Sequence, residues 1–68
     1  MNIHVNGTPH QTSEEVDLET LIATTTGHAP PTGTAAAVNG ELITRKSWNS
    51  TLLKDGDSVE ILQAVAGG

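Results

Sequence analysis

Cysteine is absent from the 68 residues, so the chain has no disulfide to staple it, no thiolate metal ligand and no thiol nucleophile of its own. Aromatic residues are nearly absent as well: Trp48 stands without any Phe or Tyr. A core must then be built from aliphatic groups. Apolar residues make up 35% of the chain and many are alanine, so burial rests mainly on seventeen Val, Ile, Leu, Met and Trp side chains. Positive charge is also scarce. Three Lys+Arg against eight Asp+Glu give a formal net charge of -5, which argues against nucleic acids and anionic membranes as partners, because a basic stripe supplies most affinity for phosphates. Long apolar runs are missing too: Leu21-Ile22-Ala23 and Ala35 to Val38 are far too short for a bilayer span or a signal-peptide core. A chain of 68 residues has room for one small domain; with these absences we expect it to be soluble and cytoplasmic, and we expect a monomer when free.

Met1, Ile3 and Val5 alternate with Asn2, His4 and Asn6, which predicts a strand over residues 1 to 6 with one face buried. Asn6-Gly7 follows, a pair that readily takes the positive φ angles of a two-residue hairpin turn. The return strand, about Thr8 to Thr12, contains Pro9, which has no ladder donor and belongs on an edge or beside a bulge. The period then changes. Leu18, Leu21, Ile22 and Thr25 fall on one face of a helix, with Asp17 placed to cap it, Glu19 suited to its positive end and Gly27 as its terminator. His28 to Thr34, with Pro30-Pro31 and Gly33, reads as a loop.

A second Asn-Gly, at Asn39-Gly40, joins Ala35 to Asn39 with Glu41 to Arg45 and predicts a second hairpin. Lys46 to Leu53 lacks period-2 alternation and carries Trp48 and Leu52-Leu53; we read a turn or 3₁₀ segment that tucks apolar groups under the sheet. Asp55-Gly56-Asp57 is a turn, and Ser58 to Val65 the last strand, with Val59 and Ile61 on one side and Glu60, Leu62 and Ala64 on the other. The fold class is α+β: a mixed sheet wrapped over one helix.

No serine sits in a nucleophile-elbow pattern, so nothing points to a catalytic triad. His4, His10 and His28 lack ligand spacing and have no cysteine nearby. Asp55-Gly56-Asp57 lacks the alternating ligands and distant glutamate of a calcium loop. No metal or other cofactor bound by this chain is expected, and Trp48 reads as packing. The C-terminal residues are more informative. Ala66, Gly67 and Gly68 directly follow a strand. Read blandly, they are a frayed end; but glycine has no Cβ, so an extended tail here can thread a channel too narrow for side chains and present a bare carboxylate. A carboxylate is a poor acyl donor until activated, most simply as a mixed anhydride with AMP, with ATP and Mg²⁺ in a partner's site. A sulfur nucleophile then yields a thiocarboxylate, and an amine yields an amide.

From Val38 onward, VNGELITRKSW and then LLKDGDSVEILQAVAGG resemble the ThiS family of thiamine-pathway sulfur carriers, which have the ubiquitin-like β-grasp fold; the opening hairpin and helix also come in the expected order. Thr44 stands before Arg45 where that family often has proline, and Arg45 is assigned no role. The resemblance implies a β-grasp domain over residues 1–65 and a flexible reactive tail over 66–68. It implies that Gly68 is adenylated by a ubiquitin-activating-type partner and converted to a thiocarboxylate, and that its sulfur goes to thiazole synthase for the thiazole ring of thiamine. The chain would be a protein co-substrate rather than an enzyme. The fold and tail leave two other readings open, the small subunit of molybdopterin synthase and a ubiquitin-like protein modifier. Leu62 and Ala64, on the side of the last strand opposite Val59 and Ile61, are the candidate docking face, with Glu41, Asp55, Asp57 and Glu60 as its acidic rim.

Overall fold

The computed structural model describes residues 1–26 and 33–63. Along the chain come β1 (Asn2–Val5), β2 (Thr8–Gln11), α1 (Leu18–Thr26), β3 (Thr34–Val38), β4 (Glu41–Ile43), a 3₁₀ segment (Arg45–Ser50) and β5 (Ser58–Gln63). The strands form one five-stranded sheet in the order β2-β1-β5-β3-β4. β1 and β5 run parallel, and the other neighbours are antiparallel. The sheet is therefore mixed and packs one face on a helix, as expected.

Both Asn-Gly pairs make the turns read from the sequence. Asn6 and Gly7 have φ of 51° and 83°, and Asn39 and Gly40 have 51° and 84°, positive at both central positions as the favoured two-residue hairpin turn demands. Pro9 lies opposite His4 on β2, the outermost strand, where its missing N–H leaves no ladder bond unmade.

The core is Ile3, Val5, Leu18, Leu21, Ile22, Ala36, Trp48, Leu53, Val59 and Ile61. Alternation along β1 and β5 and the helical spacing in α1 aim these groups at one another, and no polar residue among those described is buried with them. Trp48 is 2% exposed, and its Nε1–H donates to the Ile43 carbonyl at 3.0 Å, so the packing reading of this residue holds.

Several expectations need correction. Thr34, assigned to the loop, begins β3 and lies opposite Gln63. The strands are shorter than read: β1 stops at Val5 and β4 at Ile43, because each hairpin gives up its pairing where the chain bends away. Asp17 does not cap α1 through its carboxylate. Asp17 forms a bridge with Leu52, and the Leu18 N–H donates to the Thr51 carbonyl at 2.9 Å, so backbone just after the 3₁₀ segment satisfies one first-turn donor. Only one of the paired leucines is tucked in: Leu53 is buried and Leu52 is 62% exposed, since neighbours in extended chain point to opposite sides. Gly27, the Pro30-Pro31 loop and residues 64–68, Val65 at the end of the expected last strand included, lie outside the described residues.

Candidate functional site

β5 is the central strand, with β1 on one side and β3 on the other. Its inward residues Val59 and Ile61 are 0% and 9% exposed, so the strand that leads to the chain's last residues is tied into the sheet from both edges and into the core from below. Glu60 and Leu62 point the other way, and Leu62 is 69% exposed. Ala64, the second residue of the candidate docking face, lies outside the described residues, as do Ala66, Gly67 and Gly68.

The register extends the apolar face across β3 to β4. Ala35 lies opposite Leu62, and Ala37 lies opposite both Glu60 on β5 and Leu42 on β4. Leu42 is 69% exposed. Two leucines thus flank a pair of alanines on the open side of the sheet, and the small alanine side chains leave the surface between them low. Sequence reasoning missed Leu42. A signal was present, because adjacent Leu42 and Ile43 cannot both face the core from one strand.

The acidic rim is narrower than expected. Glu60 shares the face of Leu62, but Glu41 lies opposite Val38, which packs on the core side, so Glu41 is on the other face. Asp55 and Asp57 are occupied in the turn before β5. An Asp55 carboxylate oxygen accepts from the Asn2 N–H at 2.6 Å, while Asp57 accepts from the Lys54 N–H at 2.8 Å and from Asn39 Nδ2 at 3.0 Å. Sequence alone does not distinguish a rim carboxylate from one that builds a turn, because both follow the same Asp-Gly-Asp pattern.

His4 points to the open face and His10, opposite Ile3, to the core side, so these two imidazoles do not converge. Among the described residues no cluster of three or more His, Cys, Asp or Glu is arranged to hold a metal ion, and no helix is long and apolar enough to cross a membrane.

Comparison with known proteins accounts for the arrangement. The ThiS family model matches residues 3–68. Sulfur carrier protein ThiS of Escherichia coli (strain K12) is 36% identical over 36 residues, covering 53% of this chain and 54% of that protein, so the match spans about half the length of this curated relative. The crystal structure of the thiamine biosynthesis protein ThiS from Geobacter metallireducens superimposes with a TM-score of 0.77 at 33% identity, over 100% of both chains. The solution structure of the thiamine biosynthesis protein from the same organism gives 0.77 at 31% identity, over 100% of this chain and 88% of that one. The fold is the ubiquitin-like β-grasp, and the chain belongs to the ThiS family.

Proposed function

We propose that this chain is a sulfur carrier of thiamine biosynthesis whose reacting group is the Gly68 carboxylate, presented by residues 66–68 beyond a β-grasp body of residues 1–65. The observation that carries the reading is the family match, which extends to residue 68. The chemistry follows from the poor leaving group of a carboxylate. In the site of a ubiquitin-activating-type partner that holds ATP and Mg²⁺, the Gly68 carboxylate attacks the α-phosphorus and pyrophosphate departs, leaving an acyl adenylate. A sulfide-level nucleophile adds to the activated carbonyl carbon and AMP departs, leaving a thiocarboxylate. Thiazole synthase then takes the sulfur for the thiazole ring. Both catalysts are partners. This chain contributes the carboxylate, the narrow Gly67-Gly68 approach and the surface that is recognised.

The open face supports the docking part of the reading. Leu62 is exposed on the strand that leads to Gly68, Leu42 is exposed on β4 across the alanines of β3 on the same open face, and Ala64 continues the alternation of β5 in sequence. Exposed apolar groups beside a reactive segment suit a partner that must hold the body while the tail reaches its site.

The test is intact-protein mass spectrometry after incubation with the activating partner, ATP, Mg²⁺ and a sulfide source. The unaltered chain should exchange one oxygen for sulfur. Removing Gly68, or adding one residue after it, should abolish the exchange, because an extra residue carries the terminus about 3.3 to 3.6 Å past the reacting centre. Exchange in either altered chain would overturn the assignment of Gly68.

A further inference from the structure

The two edges of β5 are not held alike near its end. Against β3 the ladder continues through Leu62 and Gln63, which lie opposite Ala35 and Thr34. Against β1 the backbone rungs stop earlier. The His4 N–H donates to the Asp57 carbonyl and the Asn6 N–H to the Val59 carbonyl, both at 2.9 Å, so by the same two-residue spacing the next rung falls on Ile61. No backbone of β1 is left to make it, because the chain turns at Asn6-Gly7. The Asn6 side chain takes its place. Oδ1 accepts from the Ile61 N–H at 2.8 Å, and Nδ2 donates to the Ile61 carbonyl at 3.2 Å. A carboxamide has the same donor and acceptor as a peptide unit, and here it serves as one more residue of β1. Past it, the β1 side of β5 opens on a cleft lined by Asn6, Thr8, Thr26 and Gln63.

We propose that Asn6 is a positioning residue for the sulfur-carrier reaction: by closing the last β1–β5 rung at Ile61 it fixes the direction in which β5 delivers the chain toward Gly68. The inference deepens the proposed function and rests on it. Seven residue steps lead from Ile61 to Gly68, a reach of about 23 to 25 Å when drawn out fully. For a chain drawn out to that length, a swing of about 10° at Ile61 would displace the terminus by roughly 4 Å, more than one residue step. Without the Asn6 rung, the β1 side of β5 is unheld beyond Val59, the strand's end is oriented only by β3 and by the packing of Ile61 in the core, and a smaller fraction of molecules present the tail in the direction that the partner accepts. The apparent dissociation constant is the intrinsic one divided by that fraction, so affinity falls while the chemical step is unchanged.

Asn39 supplies an internal control. It has the same φ of 51° in the other Asn-Gly turn, and its side chain also braces β5, accepting from the Ser58 N–H at 2.9 Å. Ser58 lies at the opposite end of the strand from the tail. Asn6→Gly and Asn39→Gly each remove one such brace without straining a positive φ. The experiment measures thermal unfolding, amide hydrogen exchange and steady-state kinetics of thiocarboxylate formation with the activating partner. Both variants should lose stability to a similar degree. Asn6→Gly should speed exchange of the Ile61 amide tenfold or more and raise KM about three- to tenfold with kcat within twofold, whereas Asn39→Gly should leave KM unchanged. A KM for Asn6→Gly equal to that of the unaltered chain, or an equal rise in both variants, would overturn the positioning role while leaving the sulfur-carrier reading intact. If the unaltered chain itself gains no sulfur, the proposed function fails, and the positioning role falls with it.

Discussion

Leu62 and Trp48 show how the same hydrophobic chemistry serves different ends according to which side of the sheet a residue faces. Leu62 is 69% exposed, so Leu62→Glu removes no core contact, and its effect on stability should stay within about 0.5 kcal/mol, as for other surface changes. Its binding to the activating partner, measured by calorimetric titration, should weaken at least about tenfold if the open face docks. Leu52→Glu is the matched comparison: Leu52 is 62% exposed but lies outside the sheet, and its titration should match that of the unaltered chain. Equal binding by all three chains would place recognition elsewhere, most simply in the tail. Trp48 is the opposite case. Its ring fills the core under the 3₁₀ segment, Arg45 lies over it at 4.9 Å, and its N–H holds the end of β4. Trp48→Ala should cost about 3 to 5 kcal/mol, a large part of the roughly 3 to 10 kcal/mol typical for a domain this small. Trp48→Phe keeps most of the ring and loses the hydrogen bond, so its urea midpoint should fall by much less.

At the scale of the elements, the hairpins were the most legible part of the sequence, because an Asn-Gly pair constrains φ locally and needs no knowledge of what lies across the sheet. Gly40 has φ of 84°, and a Cβ there would meet nothing within 4 Å. Gly40→Ala should therefore lose about 1 to 2 kcal/mol from backbone strain alone, whereas Gly40→Asn, a residue that tolerates this region, should lose less; urea denaturation of the two measures the difference. The helix was legible for a similar reason, since Leu18, Leu21 and Ile22 carry its period. What the sequence hid was non-local. Asn6 and Asn39 read as turn formers, and nothing nearby shows that each carboxamide also bonds to β5, 55 and 19 residues away for the Ile61 and Ser58 amides. Asp17 read as a cap because its residue type and place fit one, while its bridge with Leu52 and the bond from the Leu18 N–H to the Thr51 carbonyl join segments distant in sequence. The open face was half legible: alternation singled out Leu62, but joining it to Ala35, Ala37 and Leu42 required the register between β5, β3 and β4. The reacting residue rests on the resemblance and the tail chemistry, because a Gly-Gly ending specifies access without saying which nucleophile follows.

For the whole molecule, charge is the property that the fold does not neutralise. The formal net charge is -5, and the cationic residues Arg45, Lys46 and Lys54 all fall between positions 45 and 54, in and just after the 3₁₀ segment. The rest of the chain carries Glu14, Glu15, Asp17, Glu19, Glu41, Asp55, Asp57 and Glu60, with Asp55 the only acidic residue beside a cation in sequence. Like charges held on a compact body repel, and added salt relieves that repulsion as the screening length falls from about 30 Å at 0.01 M to about 10 Å at 0.1 M. The same screening weakens the long-range attraction of an acidic carrier to a basic docking surface on its partner. One variable should therefore act with opposite signs on the two properties. Between 0.01 and 0.5 M NaCl the melting temperature should rise, by roughly 2 to 5 °C given that about 1 kcal/mol corresponds to 4 to 8 °C in a domain of this size, while the association rate with the activating partner falls. Scanning calorimetry and stopped-flow binding measure the two. Leu62→Glu separates steering from contact, because it adds a negative charge where the apolar contact is removed. If the open face docks, its affinity deficit persists at 0.5 M NaCl, where steering is screened out. A deficit that vanishes with salt would mean that the added charge meets like charge on the partner and that the lost leucine costs nothing, which would overturn both the basic docking surface and the part of the apolar β5 surface in recognition.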